Sequence, residues 1–322
     1  MITSKNKKPL IIIAGPTAIG KSDIAVKLAS RIGGEIISAD SMQVYKKMDI
    51  GTAKITKEEM QGIRHYLIDV LDPKDDFNIV TFQSMAKDAL ESIYNAGKIP
   101  IICGGTGFYI QSVIYDTDFT MADEMNEYRE SLSCIAAEKG NEYLHDLLKE
   151  VDPVSAQKIH FNDTKRVIRA LEYYKQTGEC ISSHNLEQAQ NQSPYDFLLF
   201  VLTDEREKIY GRIDKRVDVM IEKGLVSEVV QLKDSGLNRS YVSMKGLGYK
   251  EILEYLDGEI TLDEAIYKIK RDSRHFAKRQ LTWFKREKDV IWIDRSEKDE
   301  NDVLNEMTNR INSILGDKGN EC

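Results

Sequence analysis

The sequence predicts an α/β protein: a parallel sheet core into which an all-helical segment is inserted. Three observations carry that expectation. Short β-rich runs alternate with amphipathic helices through the first hundred residues, and a glycine-rich loop follows the first of those runs. The alternation stops after about Asp118 and resumes at Asp196. The core is therefore read as residues 1–118 and 196–322, and the helical insertion as 119–195.

Taken in order, Leu10–Ala14 is the first strand, and Gly15-Pro-Thr-Ala-Ile-Gly-Lys-Ser22 follows it directly. That octapeptide satisfies G-x-x-x-x-G-K-[ST] at every fixed position, so the core is P-loop NTPase-like. Its glycines let backbone N–H groups turn toward an anion, Lys21 adds a point charge, and the Ser22 hydroxyl can reach a metal ion held by the same phosphates. Gly15, Pro16, Thr17, Ala18, Ile19, Gly20, Lys21 and Ser22 are thus the expected pyrophosphate or polyphosphate site. Whether the phosphates are transferred, hydrolysed or expelled is not a property of the loop. Ile24, Ala25, Leu28, Ala29 and Ile32 then form one apolar helical face, and Gly33-Gly34 stops the helix.

Glu35–Ala39 and Ile99–Cys103 read as further strands. Thr81–Ala96 between them, with Phe82, Met85, Ala86, Ala89, Leu90 and Ile93 on one face, reads as the crossover helix. In such sheets ligands bind beyond the carboxyl ends of the strands. The phosphate loop, Asp40-Ser-Met-Gln43 and Gly104-Gly-Thr-Gly107 all leave from those ends and are expected to converge. In the insertion the strongest helix, Asp163 to Lys175, places Lys165, Arg166 and Arg169 within one turn, with Val167, Ile168 and Leu171 able to face inward. Phe197–Leu202 resumes a buried strand, and long helices follow at Arg206–Lys233 and Leu262–Lys288. The tail beyond Ser296 is acidic and is expected to be peripheral.

At 322 residues, 41% hydrophobic and 30% charged, the chain is an ordinary globular sequence. Polar, basic residues from Met1 to Lys8 precede an apolar run of only five, which predicts neither a signal peptide nor a membrane span. Cys103, Cys134, Cys180 and Cys322 contain no C-x-x-C pair, so neither a disulfide framework nor a zinc site is expected, and a reduced, cytoplasmic setting is. The net charge of −8 argues against nucleic acid as a partner. Its distribution argues the other way: Ile266 to Lys288 holds nine Lys or Arg against two acidic residues, with Tyr267, Phe276, Trp283 and Phe284 interleaved. Such a face suits an RNA backbone and unstacked bases, although a solvated helix over core aromatics has the same composition.

Several side chains could carry chemistry. Asp40, directly after the second strand, can hold a metal ion, accept a proton or cap a helix. Asp69, in His65-Tyr-Leu-Ile-Asp-Val-Leu-Asp72, reads as the acidic end of an apolar strand, a place where magnesium is often held. Thr106 sits among glycines that permit close approach of a ligand. Lys208, Arg212 and Arg216 recur one turn apart, which suits an external anion or an ion-paired surface.

Six segments in this order, Gly15–Ser22, Ser38-Ala-Asp-Ser-Met-Gln-Val-Tyr45, His65–Asp69, Gly104-Gly-Thr-Gly-Phe-Tyr109, Lys165-Arg-Val-Ile-Arg169 and Ala277-Lys-Arg-Gln-Leu-Thr-Trp-Phe284, resemble the bacterial tRNA dimethylallyltransferase (tRNA isopentenyltransferase) family. The resemblance runs from the first strand to about residue 290. It implies transfer of a dimethylallyl group from dimethylallyl pyrophosphate to the exocyclic amine of the adenine 3′ to the tRNA anticodon, with release of pyrophosphate. On that basis the phosphate loop holds the prenyl pyrophosphate with Mg²⁺ at Ser22, Arg216 neutralises the departing group, Thr106 bonds the released oxygen, and Asp40 is the base. The same resemblance implies tRNA contacts from Asp40, Ser41, Met42, Gln43, Arg129, Lys165, Arg166, Val167, Ile168 and Arg169, and a monomer. The four scattered cysteines predict no counterpart here of the zinc finger that eukaryotic relatives carry. Without the other five segments the loop would suit a P-loop kinase acting on a small metabolite or nucleotide, with Asp40 activating an acceptor hydroxyl.

Overall fold

The computed structural model describes residues 7–119, 126–188 and 190–316; Cys322 and the polar start through Asn6 lie outside them. The chain divides into two compact units, Met1–Ile114 with Pro194–Cys322, and Tyr115–Ser193.

The larger unit is built on a six-stranded sheet, β1 (Lys8–Ala14), β2 (Gly34–Ala39), β3 (His65–Tyr66), β4 (Ile99–Gly104), β5 (Tyr195–Thr203) and β6 (Val290–Asp294), in the order β3-β2-β4-β1-β5-β6. Every pairing is parallel. A parallel sheet is covered on both faces, which is why Leu10 to Ala14 and all six residues of β2 are buried without polar alternation. Strand order reverses beside β1, the place where such sheets open a crevice at their carboxyl ends. Register aligns the exits: Gly104 stands opposite both Ala14 and Ala39, so Gly15, Asp40 and Gly105 leave the sheet abreast. A Cβ on Gly104 would lie 2.3 Å from the Ala39 carbonyl oxygen, which explains a glycine in a core strand.

Helix α1 (Lys21–Ile32) buries Ile24, Ala25, Val26, Leu28 and Ala29 and stops at Gly33, whose φ of +67° an L side chain rarely adopts. Helix α2 (Ile79–Asn95) starts at Asn78, whose side chain accepts from the Val80 and Thr81 N–H groups. Helix α3 (Gly107–Ile114) follows β4. The smaller unit is helical throughout its secondary structure: α4 (Asn126–Lys139), α5 (Asn141–Val151), α6 (Pro153–Lys158), α7 (Thr164–Thr177) and α8 (Ile181–Gln188), around a core that includes Leu132, Leu144, Leu148, Val167, Ile168 and Leu171.

The return to the larger unit differs from expectation in three places. Residues 206–233 form two helices, α9 (Arg206–Glu222) and α10 (Leu225–Asp234), because Gly224 takes φ +97° and breaks the run. After α11 (Tyr249–Leu256), helix α12 (Leu262–Phe284) ends before the last basic residues, and Val290–Asp294 becomes the edge strand β6. The acidic tail is not peripheral. In α13 (Glu300–Gly316), Val303, Leu304, Met307 and Ile311 are buried in the main core, and Lys27 of α1 pairs with Glu300 at 2.5 Å. Charge on the outer face of α13 masked its apolar stripe.

Candidate active site

Beyond the ends of β1, β2 and β4 lie two adjoining cavities. One, of about 520 Å³, is lined by Thr17, Gly20, Lys21, Ser22 and Lys54 with others. The second, of about 380 Å³, has Met42, Thr106, Val217, Leu247 and Phe276 in its wall. Thr17, Asp40, Arg216 and Gln280 line both, so the two form one cleft with a phosphate-binding loop at one end.

The loop is shaped by backbone requirements. Gly15 (φ +143°) passes so close to β5 that a Cβ would lie 2.6 Å from the Leu202 carbonyl oxygen. Gly20 (φ +86°) precedes α1 with no side-chain cap, so the first N–H groups of that helix remain available to an anion. Thr17, Ala18, Gly20, Lys21 and Ser22 face the cavity, whereas Gly15, Pro16 and Ile19 do not line it. Pro16, which has no N–H, serves instead as acceptor, taking a 2.8 Å hydrogen bond from Lys21 Nζ. Burial lowers the Lys21 pKa to about 8; Cys103 and Asp40 oppose the shift and Arg216 adds to it. Cys103, the last side chain of β4 at the cavity wall, is pushed up to about 11 by burial and is a protonated thiol.

Asp40 Oδ1 accepts from the N–H groups of Met42 (2.9 Å) and Gln43 (3.3 Å), so the carboxylate both orders its own turn and faces the cleft. Gln43 holds the neighbouring wall, its Nε2 donating to the Thr52 (3.3 Å) and Ala53 (3.4 Å) carbonyls. Thr106 is anchored through its N–H to the Ala39 carbonyl at 3.4 Å, which links the loops after β2 and β4. Arg216 donates to Thr17 Oγ1 at 3.4 Å. Much of its side chain is open to the cleft, yet desolvation of the guanidinium lowers its pKa, with Asp40 and Glu59 opposing; it remains a cation.

The other basic residues separate by partner. Lys208 and Arg212 pair with Glu205 (3.1 Å) and Asp204 (2.6 Å), so of the column on α9 Arg216 alone lines the cleft. On α12, Lys268, Lys270, Arg271 and Arg274 pair with Glu254, Asp218, Asp272 and Asp214, while Arg279 lines the second cavity. Phe284 is core, and Trp283 meets Phe108 edge to face at 6.0 Å. Asp69 does not close a strand: β3 ends at Tyr66, Asp69 takes φ +55°, and its carboxylate, outside the cleft lining itself, pairs at 2.5 Å with Lys54 of the cleft wall.

Within the helical unit, Lys165 and Arg166 are exposed and Arg169 is half-buried, on the outward side of α7. Val167 and Ile168, expected with them as tRNA contacts, are buried in the core of that unit, where they seat the helix that carries the cations. Arg129 makes a two-pronged bond to Glu172 (2.8 and 3.0 Å) and ties α4 to α7.

Sequence reasoning missed Gln280. It is buried, its Oε1 accepting from the Thr17 N–H at 2.8 Å and its Nε2 donating to the Gly105 carbonyl at 3.0 Å. The available signal was a polar residue on the inward stripe Ala277–Gln280–Phe284 of an amphipathic helix.

The model of the IPP transferase family matches residues 43–287, about three quarters of the chain. The chain belongs to this family. A tRNA dimethylallyltransferase of Lachnoclostridium phytofermentans is 57% identical over 311 residues, 97% of this chain and 98% of that one. The crystal structure of a full-length tRNA isopentenylpyrophosphate transferase of Bacillus halodurans superposes with a TM-score of 0.74 at 43% identity, covering 98% of both chains. A eukaryotic dimethylallyltransferase solved acting on tRNA gives 0.81 at 30% identity, over 96% of this chain and 79% of that one. The phosphate loop lies ahead of the family match but within these full-length alignments. The IPP transferase family stands in agreement with the resemblance drawn from the six segments, and the kinase alternative is not favoured.

Proposed function

We propose that the chain is a tRNA dimethylallyltransferase, moving the dimethylallyl group of dimethylallyl pyrophosphate to the exocyclic amine of the adenine 3′ to the anticodon. The observation that carries this reading is the single cleft in which a phosphate loop, Asp40, Arg216 and Thr106 meet, with a second compartment walled by Met42, Val217, Leu247 and Phe276. A diphosphate suits the first compartment; an allylic tail and a flat base suit the second.

In the reaction the bond from the allylic C1 to the diphosphate oxygen breaks, its electron pair leaving with pyrophosphate. The bond from C1 to the adenine amine forms, and the amine proton passes to Asp40. Lys21 and Arg216 hold the charge that grows on the leaving group, and Thr106 donates to the released oxygen. Adenine's amine is a weak nucleophile because its lone pair is delocalised, so Asp40 both orients it and takes its proton. The base must leave the anticodon stack, at about a few kcal/mol, which contacts from Ser41, Met42 and the cations Lys165, Arg166 and Arg169 offset.

Among the described residues no group of three or more His, Cys, Asp or Glu could hold a metal ion. The donor set nonetheless fits a hard cation held chiefly by phosphate oxygens, with the exposed hydroxyl of Ser22 as the protein ligand. Mg²⁺ so held would supply charge neutralisation on the departing pyrophosphate.

The test is incubation of the protein with labelled dimethylallyl pyrophosphate, Mg²⁺ and unmodified tRNA whose anticodon is followed by adenines, with ATP in a parallel reaction. Label in tRNA and no ATP turnover is expected. ATP consumption with a small-molecule acceptor, and unlabelled tRNA, would overturn the reading.

A further inference from the structure

Gln280 joins three pieces of the cleft that are distant in sequence. It projects from α12, its carbonyl oxygen accepts from Thr17 N–H in the phosphate loop, and its amide nitrogen donates to the Gly105 carbonyl in the loop after β4. The partners fix the orientation of the amide: a backbone N–H only donates and a carbonyl only accepts, so the flipped amide would leave both bonds unmade. Thr17 is held from a second side by Arg216, and Gly105 is the residue before Thr106. A Cβ on Gly105 would lie 2.0 Å from Gln280 Nε2, so a glycine is needed there for the bridge to form. A buried amide bonded to two loops would be an expensive way to fill a core position that leucine or methionine fills without polar groups.

We propose that Gln280 is a positioning residue that sets the gap between the phosphate loop and the loop bearing Thr106. The identity of the ligands on those loops rests on the function proposed above; the bridge rests on geometry alone. With the gap fixed, a diphosphate seated on Lys21 and Ser22 presents its leaving oxygen to Thr106. With the bridge lost, the phosphate loop keeps its own shape and still binds the diphosphate, but the two loops drift relative to each other. A displacement of about 1 Å in a reacting arrangement costs about a hundredfold in rate. The neutral amide also matters, since a carboxylate at this position could not donate to Gly105 and would place negative charge against the anion.

The experiment compares wild type, Gln280→Met, Gly105→Ala and the double variant. Gln280→Met keeps the volume and removes both hydrogen bonds; Gly105→Ala leaves Gln280 intact and displaces its amide. Both singles should lower kcat by about 50-fold while KM for dimethylallyl pyrophosphate and the calorimetric Kd for pyrophosphate stay within about threefold. The double variant should be no slower than the worse single, because both remove the same bridge. Unchanged kcat, a loss confined to KM, or losses that multiply in the double variant would each overturn the proposal. If Gln280→Met fails to fold, Gly105→Ala decides by the same split between kcat and KM. Wild-type protein that does not label tRNA would sink the proposed function; wild-type transfer with an undiminished Gln280→Met would sink this inference alone.

Discussion

Arg295, at the end of the edge strand β6, donates from Nη1 to the carbonyl of Ile19 inside the phosphate loop at 2.5 Å. Its own N–H is fixed to the Thr203 carbonyl at 2.9 Å, so the guanidinium is delivered by the sheet and braces the loop at Ile19. A Cβ on Gly20 would lie 2.6 Å from the same Nη1. The residue lies beyond position 287, where the match to the family model stops.

Arg295→Ala should therefore weaken pyrophosphate binding about tenfold, since a hydrogen bond from a charged donor contributes about 1.5–3 kcal/mol and part of that is felt as loop disorder. Gly20→Ala should weaken binding about 10- to 100-fold, because φ +86° strains any L side chain by about 1–3 kcal/mol and the new methyl displaces the guanidinium from the loop. Calorimetric titration with pyrophosphate reads both. Wild-type affinity in Arg295→Ala would show that the loop holds its shape without the brace.

Legibility followed the range over which each signal acts. The phosphate loop, the four central strands β1, β2, β4 and β5 and the exits at Asp40 and Gly105 were readable because each is written in contiguous residues: an apolar run, a glycine pattern, a polar exit. Gln280 was not, because its meaning lies in Thr17, 263 positions away, and in isolation a glutamine on a basic helix reads as surface. Asp69 misled for a related reason. Apolar residues followed by an acid describe a strand end only if the strand persists, and here positive φ at Leu67 and Asp69 turns the chain after two paired residues. The cations of α9 and α12 could be counted in the sequence, but which of them already had acidic partners depended on packing between helices.

Asp40→Ala and Thr106→Ala should lower kcat by about 100-fold or more while tRNA affinity changes by less than about threefold, as expected for groups that act on the transition state. Single-turnover transfer together with tRNA filter binding separates the two effects. Near-wild-type turnover in either variant would remove its assigned role.

Lys21 should make donor binding take up protons. Its pKa of about 8 in the free cleft lies below the ordinary lysine value of 10.5, and a bound diphosphate favours the charged form. Binding should draw a proton onto Lys21 at pH 8–9, seen as a dependence of the calorimetric enthalpy on buffer ionisation heat that Lys21→Met lacks. The sign for stability is opposite to that of a paired lysine. Between about 8 and 10.5 the unfolded chain binds more protons at this site, so this group's contribution to ligand-free stability rises with pH across that window. Equal proton uptake in wild type and Lys21→Met would place the titrating group elsewhere.

Helix α7 offers a test that separates RNA contact from packing within five consecutive residues. Lys165 is exposed and Arg169 half-buried, whereas Val167 and Ile168 are core. If the cations meet RNA phosphates, Lys165→Ala and Arg169→Ala should each weaken tRNA binding about three- to tenfold and reduce the slope of log affinity against log salt by about one. Neither should lower the melting temperature appreciably. Val167→Ala should do the reverse, costing about 2 kcal/mol of stability through a buried cavity while leaving the salt slope intact in the folded fraction. Loss of tRNA affinity in Val167→Ala without loss of stability would mean that this face of the helix, and not the charged one, meets the RNA.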